Sequence, residues 1–178
     1  KALLPPTEEL IVAGGLRNDP GFPTTPGAIR AGSTADAFGD GFVLMLNSTG
    51  TALVYSTLVG GTNNTEAISF AALDAADNLY LLGSTLSTNL VTSPGVIQPS
   101  FGGGQRDLFA YKITPSGVLG YATYLGGNGS NDFDGRELPG AMYVTPAGEL
   151  YGIILYASAN LPTSPGAVQP VRLSDPTV

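Results

Sequence analysis

The sequence predicts an all-β protein made of two four-stranded antiparallel, propeller-like blades plus an orphan N-terminal strand. Three observations lead to this prediction: a repeated segment, short apolar runs bounded by turn residues, and the lack of helical periodicity. Of the 178 residues, 25 are Gly and 14 are Pro, and together with β-branched residues they interrupt any helical window. Only 12% of the residues are charged, which is typical of a turn-rich extracellular β protein.

The repeat is marked by a Pro-Gly segment that occurs three times. Pro26 to Arg30 returns as Pro94 to Gln98 and as Pro165 to Gln169, at spacings of 68 residues (26 to 94) and 71 residues (94 to 165). A fixed period of this kind indicates one supersecondary unit that is used more than once. The predicted divisions are an N-terminal strand and linker (1–27), a first blade (28–95), a second blade (96–166), and the start of a further unit or a C-terminal tail (167–178).

Eight apolar runs, each bounded by turn residues, are the predicted strands of the two blades. They lie at 42–47, 52–59, 68–73 and 79–85 in the first blade and at 108–114, 118–125, 141–145 and 150–158 in the second. Gly50 and Gly117 end connections that have the length of a type I turn closing into a left-handed residue, which joins adjacent antiparallel strands. Several runs are apolar on both faces, which favours blades that are covered on both sides; a two-layer sandwich is the alternative.

The predicted N-terminal strand consists of Leu10, Ile11, Val12 and Ala13, which match the fourth strand of a blade without the first three. Closed propellers have about four to eight blades, so two blades do not close a ring. An unpaired apolar strand is also an aggregation-prone edge. We therefore expect its partners to be copies of the same chain, joined by strand pairing, or further blades of a longer chain. A fold-back of this strand onto the chain's own second blade is the alternative.

Composition excludes several classes of function. The net charge is −7 with seven Lys and Arg residues, so nucleic acid is not an expected partner. The chain has no Cys and no His, which removes thiolate chemistry and the commonest general base and metal ligand. The longest apolar run is about half of what a membrane-spanning helix needs. We expect no catalytic residues, no enzyme activity and a chain that is secreted or lies on the cell surface.

The densest polar cluster lies between residues 128 and 137. Asn131, Asp132, Asp134 and Glu137 can supply oxygen ligands to Ca²⁺, which is the one cofactor that the sequence suggests. The alternative is a solvated loop between two strands. A further alternative is that two carboxylates of this cluster act in glycoside hydrolysis.

Two further sets of residues concern sugars. Asn47, Asn63 and Asn128 each begin a glycosylation sequon. The eight tyrosines lie at strand positions, where ordinary packing is expected and a sugar-stacking surface is the alternative.

Several segments together resemble a known family. Residues 40–43, 50–61 and 72–80, followed by the Thr-Ser-Pro-Gly-Val-Ile-Gln segment at 92–98, are similar to the bacterial β-propeller repeat abbreviated SBBP. The resemblance covers residues 22–169 and implies a propeller-like fold and a secreted or cell-surface location, because such repeats occur in long proteins of that kind. It implies no catalytic residues.

We therefore expect an extracellular structural or adhesive protein. It is expected to assemble by inter-chain strand pairing into an oligomer or filament, or to be part of a longer propeller. A carbohydrate-binding module, with glycans as partners, and a secreted polysaccharide-acting enzyme are the alternatives.

Overall fold

The computed structural model describes residues 2–3, 9–17, 19, 21–32, 39–128, 138–155, 158 and 160–168. Within these residues the chain forms strands and no helix, so the all-β prediction is confirmed. This part of the chain accordingly contains no helix that is long and apolar enough to cross a membrane. The strands are β1 (Ala2–Leu3), β2 (Leu10–Arg17), β3 (Gly39–Leu46), β4 (Leu53–Val59), β5 (Glu66–Leu73), β6 (Leu79–Thr85), β7 (Asp107–Ile113), β8 (Leu119–Leu125), β9 (Leu138–Val144) and β10 (Leu150–Leu155).

Three antiparallel sheets follow one another along the described chain. The N-terminal sheet has the order β1-β2-β3-β4, the central sheet has the order β5-β6-β7-β8, and the C-terminal sheet holds β9 and β10. Neighbours in the sequence are neighbours within each sheet, as predicted for a meander. The chain changes sheet between β4 and β5 and again between β8 and β9.

The predicted blades cut across these sheets, so the predicted grouping of strands is wrong. The first predicted blade (28–95) combines β3 and β4 with β5 and β6, although the two pairs belong to different sheets. The structure instead pairs β6 with β7 along their full length, across the predicted boundary. The reason is the length of the connection: residues 86–106 are enough to bring β7 back beside β6. The Pro-Gly segment is therefore a loop within one sheet and not a border between two sheets.

The N-terminal strand is not an orphan either. β2 pairs with β3 over all eight of its residues. On its other edge, β1 pairs with β2 and places Leu3 opposite Ile11, as β5 places Ala72 opposite Tyr80 of β6. The pair β1–β2 thus corresponds to β5–β6. The strand folds back within its own chain, onto β3 and not onto the second predicted blade.

The turns that the glycines predict are confirmed. Gly50 has φ 68°, and its N–H donates to the Asn47 carbonyl oxygen at 2.9 Å. Gly117 has φ 81°, and its N–H donates to the Thr114 carbonyl oxygen at 2.8 Å. Because a left-handed residue at this point closes a tight turn, each glycine joins two adjacent strands of one sheet.

The sheets pack face to face in the order N-terminal, central, C-terminal. Gly152 of β10 lies against Leu82 of β6, and the Tyr80 hydroxyl donates to the Gly148 carbonyl oxygen at 3.0 Å. These contacts hold the C-terminal sheet on one face of the central sheet. The opposite face of the central sheet meets the N-terminal sheet in the main core, whose members include Ile11, Val43, Met45, Tyr55, Leu79, Leu81, Phe109, Tyr111 and Ile113.

Candidate functional site

Four large apolar side chains lie exposed on one face of the C-terminal sheet. Their exposed fractions are 62% for Tyr143, 58% for Tyr151, 66% for Ile153 and 64% for Leu155. Tyr143 and Tyr151 are directly opposite each other on β9 and β10, and alternate residues of β10 share a face. We call these four residues the front face. Its residues are uncharged, and it combines an aromatic pair with two aliphatic side chains.

The same position is buried in the central sheet. β10 corresponds to β6, because Leu150 pairs with Val144 as Leu79 pairs with Leu73. All seven residues of β6 are buried, whereas none of the six residues of β10 is. β6 is covered because β7 pairs with its outer edge and the C-terminal sheet packs on its face. Among the described residues, neither kind of cover is present for β10.

The outer edge of the central sheet is closed by a Pro-Gly segment. The Ser93 N–H donates to the Ala122 carbonyl oxygen of β8 at 3.0 Å, and the Tyr124 N–H donates to the Gln98 carbonyl oxygen at 3.0 Å. The first Pro-Gly segment makes the same two kinds of bond to β4 of the N-terminal sheet. These segments protect outer strands that would otherwise present free backbone groups.

The third Pro-Gly segment has the same turn, but no such strand lies beside it among the residues that the structure describes. The Ala167 N–H donates to the Ser164 carbonyl oxygen at 3.2 Å, and Gly166 has φ 83°. Within the described chain, no strand corresponding to β4 or β8 lies in the C-terminal sheet. The C-terminal sheet therefore has counterparts of the strand pair β5–β6 and of the Pro-Gly turn. Among the described residues it has no counterpart of the strand pair β7–β8.

A buried polar cluster lies where the N-terminal and central sheets meet. Arg30 is 8% exposed, Asp40 is 3% exposed and Glu66 is 3% exposed. Arg30 Nη2 donates to Asp40 Oδ1 in an ion pair. Glu66 Oε1 accepts a hydrogen bond from Thr85 Oγ1 at 2.8 Å, and Thr85 Oγ1 accepts one from the Ser87 N–H at 2.8 Å. The cluster is closed to solvent, so it is suited to holding two sheets together and not to binding a substrate.

Burial raises the pKa of Glu66 from 4.5 to about 7. The hydrogen bond from Thr85 and the charge of Arg30 lower this pKa, but they do not offset burial. Buried Tyr111, whose own pKa is raised chiefly by burial, also senses the charge of Glu66. Glu66 is thus the acid of this cluster that titrates near neutral pH.

The repeated Gly-Gly pairs are explained by close packing against buried polar side chains. A β-carbon on Gly60 would overlap Glu66, and one on Gly126 would overlap Asp107. Each pair directly follows an outer strand, β4 or β8. The glycines therefore allow the end of one strand to approach a buried carboxyl side chain.

An asparagine hydrogen bond recurs between neighbouring sheets. Asn89, which follows β6, accepts a hydrogen bond from the Thr62 N–H at 2.9 Å and donates to Thr62 Oγ1 at 2.7 Å. Asn160, which follows β10, accepts one from the Asn128 N–H at 2.8 Å. The contact between the N-terminal and central sheets is thus repeated between the central and C-terminal sheets.

The predicted assembly strand has different environments on its two faces. Ile11 and Ala13 are buried in the core, 5% and 2% exposed. Leu10 and Val12 are half-buried on the opposite face of the N-terminal sheet. This strand pairs with β3 over its whole length, and Ile11 and Val12 also pair with β1, so the expectation that it is an unpaired orphan strand is wrong. Its side chains at positions 10 and 12 remain partly accessible.

The predicted Ca²⁺ ligands, Asn131, Asp132, Asp134 and Glu137, lie outside the described residues. Within the described chain, no group of three or more acidic, His or Cys side chains is placed to hold a metal ion.

The three sequon asparagines lie in loops. Asn47 uses its side chain within its own turn, where Oδ1 accepts from the Thr51 N–H at 2.9 Å. Asn63 Nδ2 donates to Thr88 Oγ1 at 2.9 Å. Asn128 is exposed. A glycan attached at Nδ2 would be bonded to the Asn63 nitrogen that donates to Thr88, whereas the Asn47 bond uses Oδ1.

No protein-family model matches the sequence, and no curated protein matches it. The resemblance to SBBP repeats therefore remains a prediction that rests on the quoted segments. Sequence reasoning found β10 as a strand with two apolar faces but missed the front face, because its exposure depends on which strands follow it in space.

Proposed function

We propose that this chain is an extracellular structural or adhesive β-repeat protein that assembles with copies of itself. The observation that carries the proposal is the contrast between β6, which is fully buried, and its counterpart β10, whose front face is exposed and whose outer edge has no strand beside it among the described residues. Extended apolar sheet surfaces of this kind mark interaction sites. The open edge of β10 is suited to the inter-chain strand pairing expected from the sequence.

The repeated packing supports a propeller-like arrangement as part of this proposal. Each sheet meets the next through the same asparagine and glycine contacts, which is the relation expected between neighbouring blades. The low charge content and the plentiful turn residues favour an extracellular location.

Carbohydrate binding is a second candidate, because one observation favours it. Tyr143 and Tyr151 form an exposed cross-strand aromatic pair, and aromatic faces of this kind stack on the apolar faces of sugars. A sugar site also needs convergent polar groups, whereas Ile153 and Leu155 beside the pair are aliphatic. Assembly therefore explains the exposure of all four front-face residues, whereas sugar stacking explains only that of the two tyrosines.

Light scattering coupled to size exclusion tests the proposal. The mass should rise above that of one chain as the protein is concentrated tenfold, and it should rise further at high salt, because copies that each carry a net charge of −7 repel one another less. A mass of one chain at every concentration and salt would refute self-assembly. A glycan array probed with the same sample tests the second candidate.

A further inference from the structure

The two contacts between sheets within the chain are built in the same way. In each, a Gly-Gly pair of one sheet packs against a Ser and an Asn of the next: Gly61 against Ser87 and Asn89, and Gly127 against Ser158 and Asn160. In the first contact, the face of the N-terminal sheet that carries Ile11 and Ala13 meets the central sheet. In the second, the face of the central sheet that carries their counterparts Tyr80 and Leu82 meets the C-terminal sheet. One packing rule therefore relates successive sheets.

The N-terminal sheet has a partly accessible counterpart to the surface that this rule uses. On the face turned away from the core, Leu10 lies opposite Leu46 and Val12 lies opposite Leu44. All four side chains are half-buried. We call these four residues the back face. The front face, on the C-terminal sheet, is the outer surface at the opposite end of the stack of three sheets.

The residues of the central sheet that correspond to the back face are fully covered. Leu79, Leu81, Tyr111 and Ile113 occupy those positions and are at most 3% exposed. They are covered by the N-terminal sheet. The face of that sheet which covers them carries Ile11 and Ala13 and corresponds to the front face. In both contacts between sheets within the chain, a surface that corresponds to the back face therefore packs against a surface that corresponds to the front face.

We infer that copies of this chain associate head to tail, with the front face of one copy packed on the back face of the next. This rests on the proposed function, and it names the surfaces and the polarity of the assembly. Both faces are apolar and uncharged, which suits sheet-on-sheet packing. Because the two faces are different, the contact is heterologous, and it produces a ring if the rotation closes or a filament if it does not.

Cysteine cross-linking tests the geometry, because the natural sequence has no Cys. Ile153→Cys marks the front face, and Val12→Cys marks the back face. An equal mixture of the two single variants should form disulfide-linked pairs of one chain of each kind, about tenfold more than either variant alone. Ile97→Cys, at a position that is 62% exposed in a Pro-Gly loop, is the matched control for random collision.

Charge variants test the contribution of each face. Ile153→Glu and Val12→Glu should each weaken self-association by about tenfold or more, since a buried unpaired charge is costly. A mixture of the two should still form a dimer through the two unaltered faces. Ile97→Glu should associate as the natural protein does. Circular dichroism and a melting curve establish that each variant folds, and Leu155→Glu replaces any front-face variant that does not.

The outcomes separate this inference from the proposed function. Self-association that is unchanged in both Glu variants would overturn the inference and leave assembly standing. Cross-linking of Ile153→Cys with itself, in preference to the mixture, would show a symmetric front-to-front contact and would also overturn it. A natural protein that stays a single chain would overturn both.

Discussion

Replacing Glu66 with glutamine should make the stability of the protein less dependent on pH. Glu66 is 3% exposed and accepts a hydrogen bond from Thr85 Oγ1 at 2.8 Å. Burial raises its pKa from 4.5 to about 7. Arg30, which pairs with Asp40, lowers this pKa without offsetting burial. Ionisation of Glu66 therefore opposes folding.

The sign of this pH dependence follows from which state, folded or unfolded, holds the Glu66 proton more tightly. Between pH 4.5 and about 7 the folded protein keeps the Glu66 proton while the unfolded chain has released it. The contribution to stability is thus fully present below pH 4.5 and is lost as the pH rises through about 7. The difference between these two pKa values, at about 1.4 kcal/mol for each pKa unit, corresponds to about 3 kcal/mol. Glutamine keeps the uncharged form at every pH.

Urea unfolding of the natural protein and of Glu66→Gln, from pH 4 to pH 8, measures this effect. The difference between their free energies of unfolding isolates residue 66, because the other ionisable groups are common to both. The variant should gain on the natural protein as the pH rises, by up to about 3 kcal/mol at pH 8. Glu149→Gln, at an exposed position, is the matched control. Parallel stability curves for the natural protein and Glu66→Gln would falsify the assignment.

Three further predictions concern the turns and the contacts between sheets. Asn89→Ala removes two hydrogen bonds to Thr62 and should lower the free energy of unfolding by about 1 kcal/mol in urea; an unchanged midpoint would count against this contact. Gly60→Ala, with φ 127° and no room for a β-carbon, should cost about 3 kcal/mol or more, whereas Gly50→Ala, with open space, should cost about 1–2 kcal/mol; equal costs would contradict the packing argument. Asp74→Asn should cost about 2 kcal/mol at pH 7: burial raises the pKa of this carboxyl, but its four hydrogen bonds outweigh burial and lower it. The cost should therefore shrink below pH 3.8 in the same assay, and a cost that grows on acidification would contradict this sign.

The strands and turns could be predicted from the sequence because their signals are local. The apolar run of β6 and the turn glycines Gly50 and Gly117 act within a few residues of themselves. Apolar alternation and the need for a left-handed residue were sufficient to locate these elements. The eight predicted strands of the two blades all correspond to strands of the structure.

The grouping of strands into sheets could not be predicted in the same way. The decisive pairs, β6 with β7 and β2 with β3, are joined by the long Pro-Gly segments, and a repeat has the same period wherever its boundary is drawn. The pairing of β6 with β7 and the backbone bonds of Ser93 and Gln98 to β8 show that the Pro-Gly segment belongs inside a sheet. For the same reason the N-terminal strand was expected to be an orphan.

The buried cluster was missed because its members are far apart in the sequence. Arg30, Asp40 and Glu66 belong to three different segments, and none of them carries a local motif. One signal was present: the Gly-Gly pair at 60–61 returns at 126–127, and two adjacent glycines that recur at the end of a strand indicate a close approach. The side chain that approaches could be identified only from the structure.

The sequence of β10 is itself an argument for a missing neighbour. A two-stranded sheet that packs on the central sheet needs apolar residues on one face only, as Leu150 and Ile154 provide. β10 has Tyr151, Ile153 and Leu155 on the other face as well, each more than half exposed. In β6 the same two-sided pattern is accounted for by sheets on both sides. The pattern of β10 is that of an interior strand, and it supports the proposal that the front face packs against another sheet.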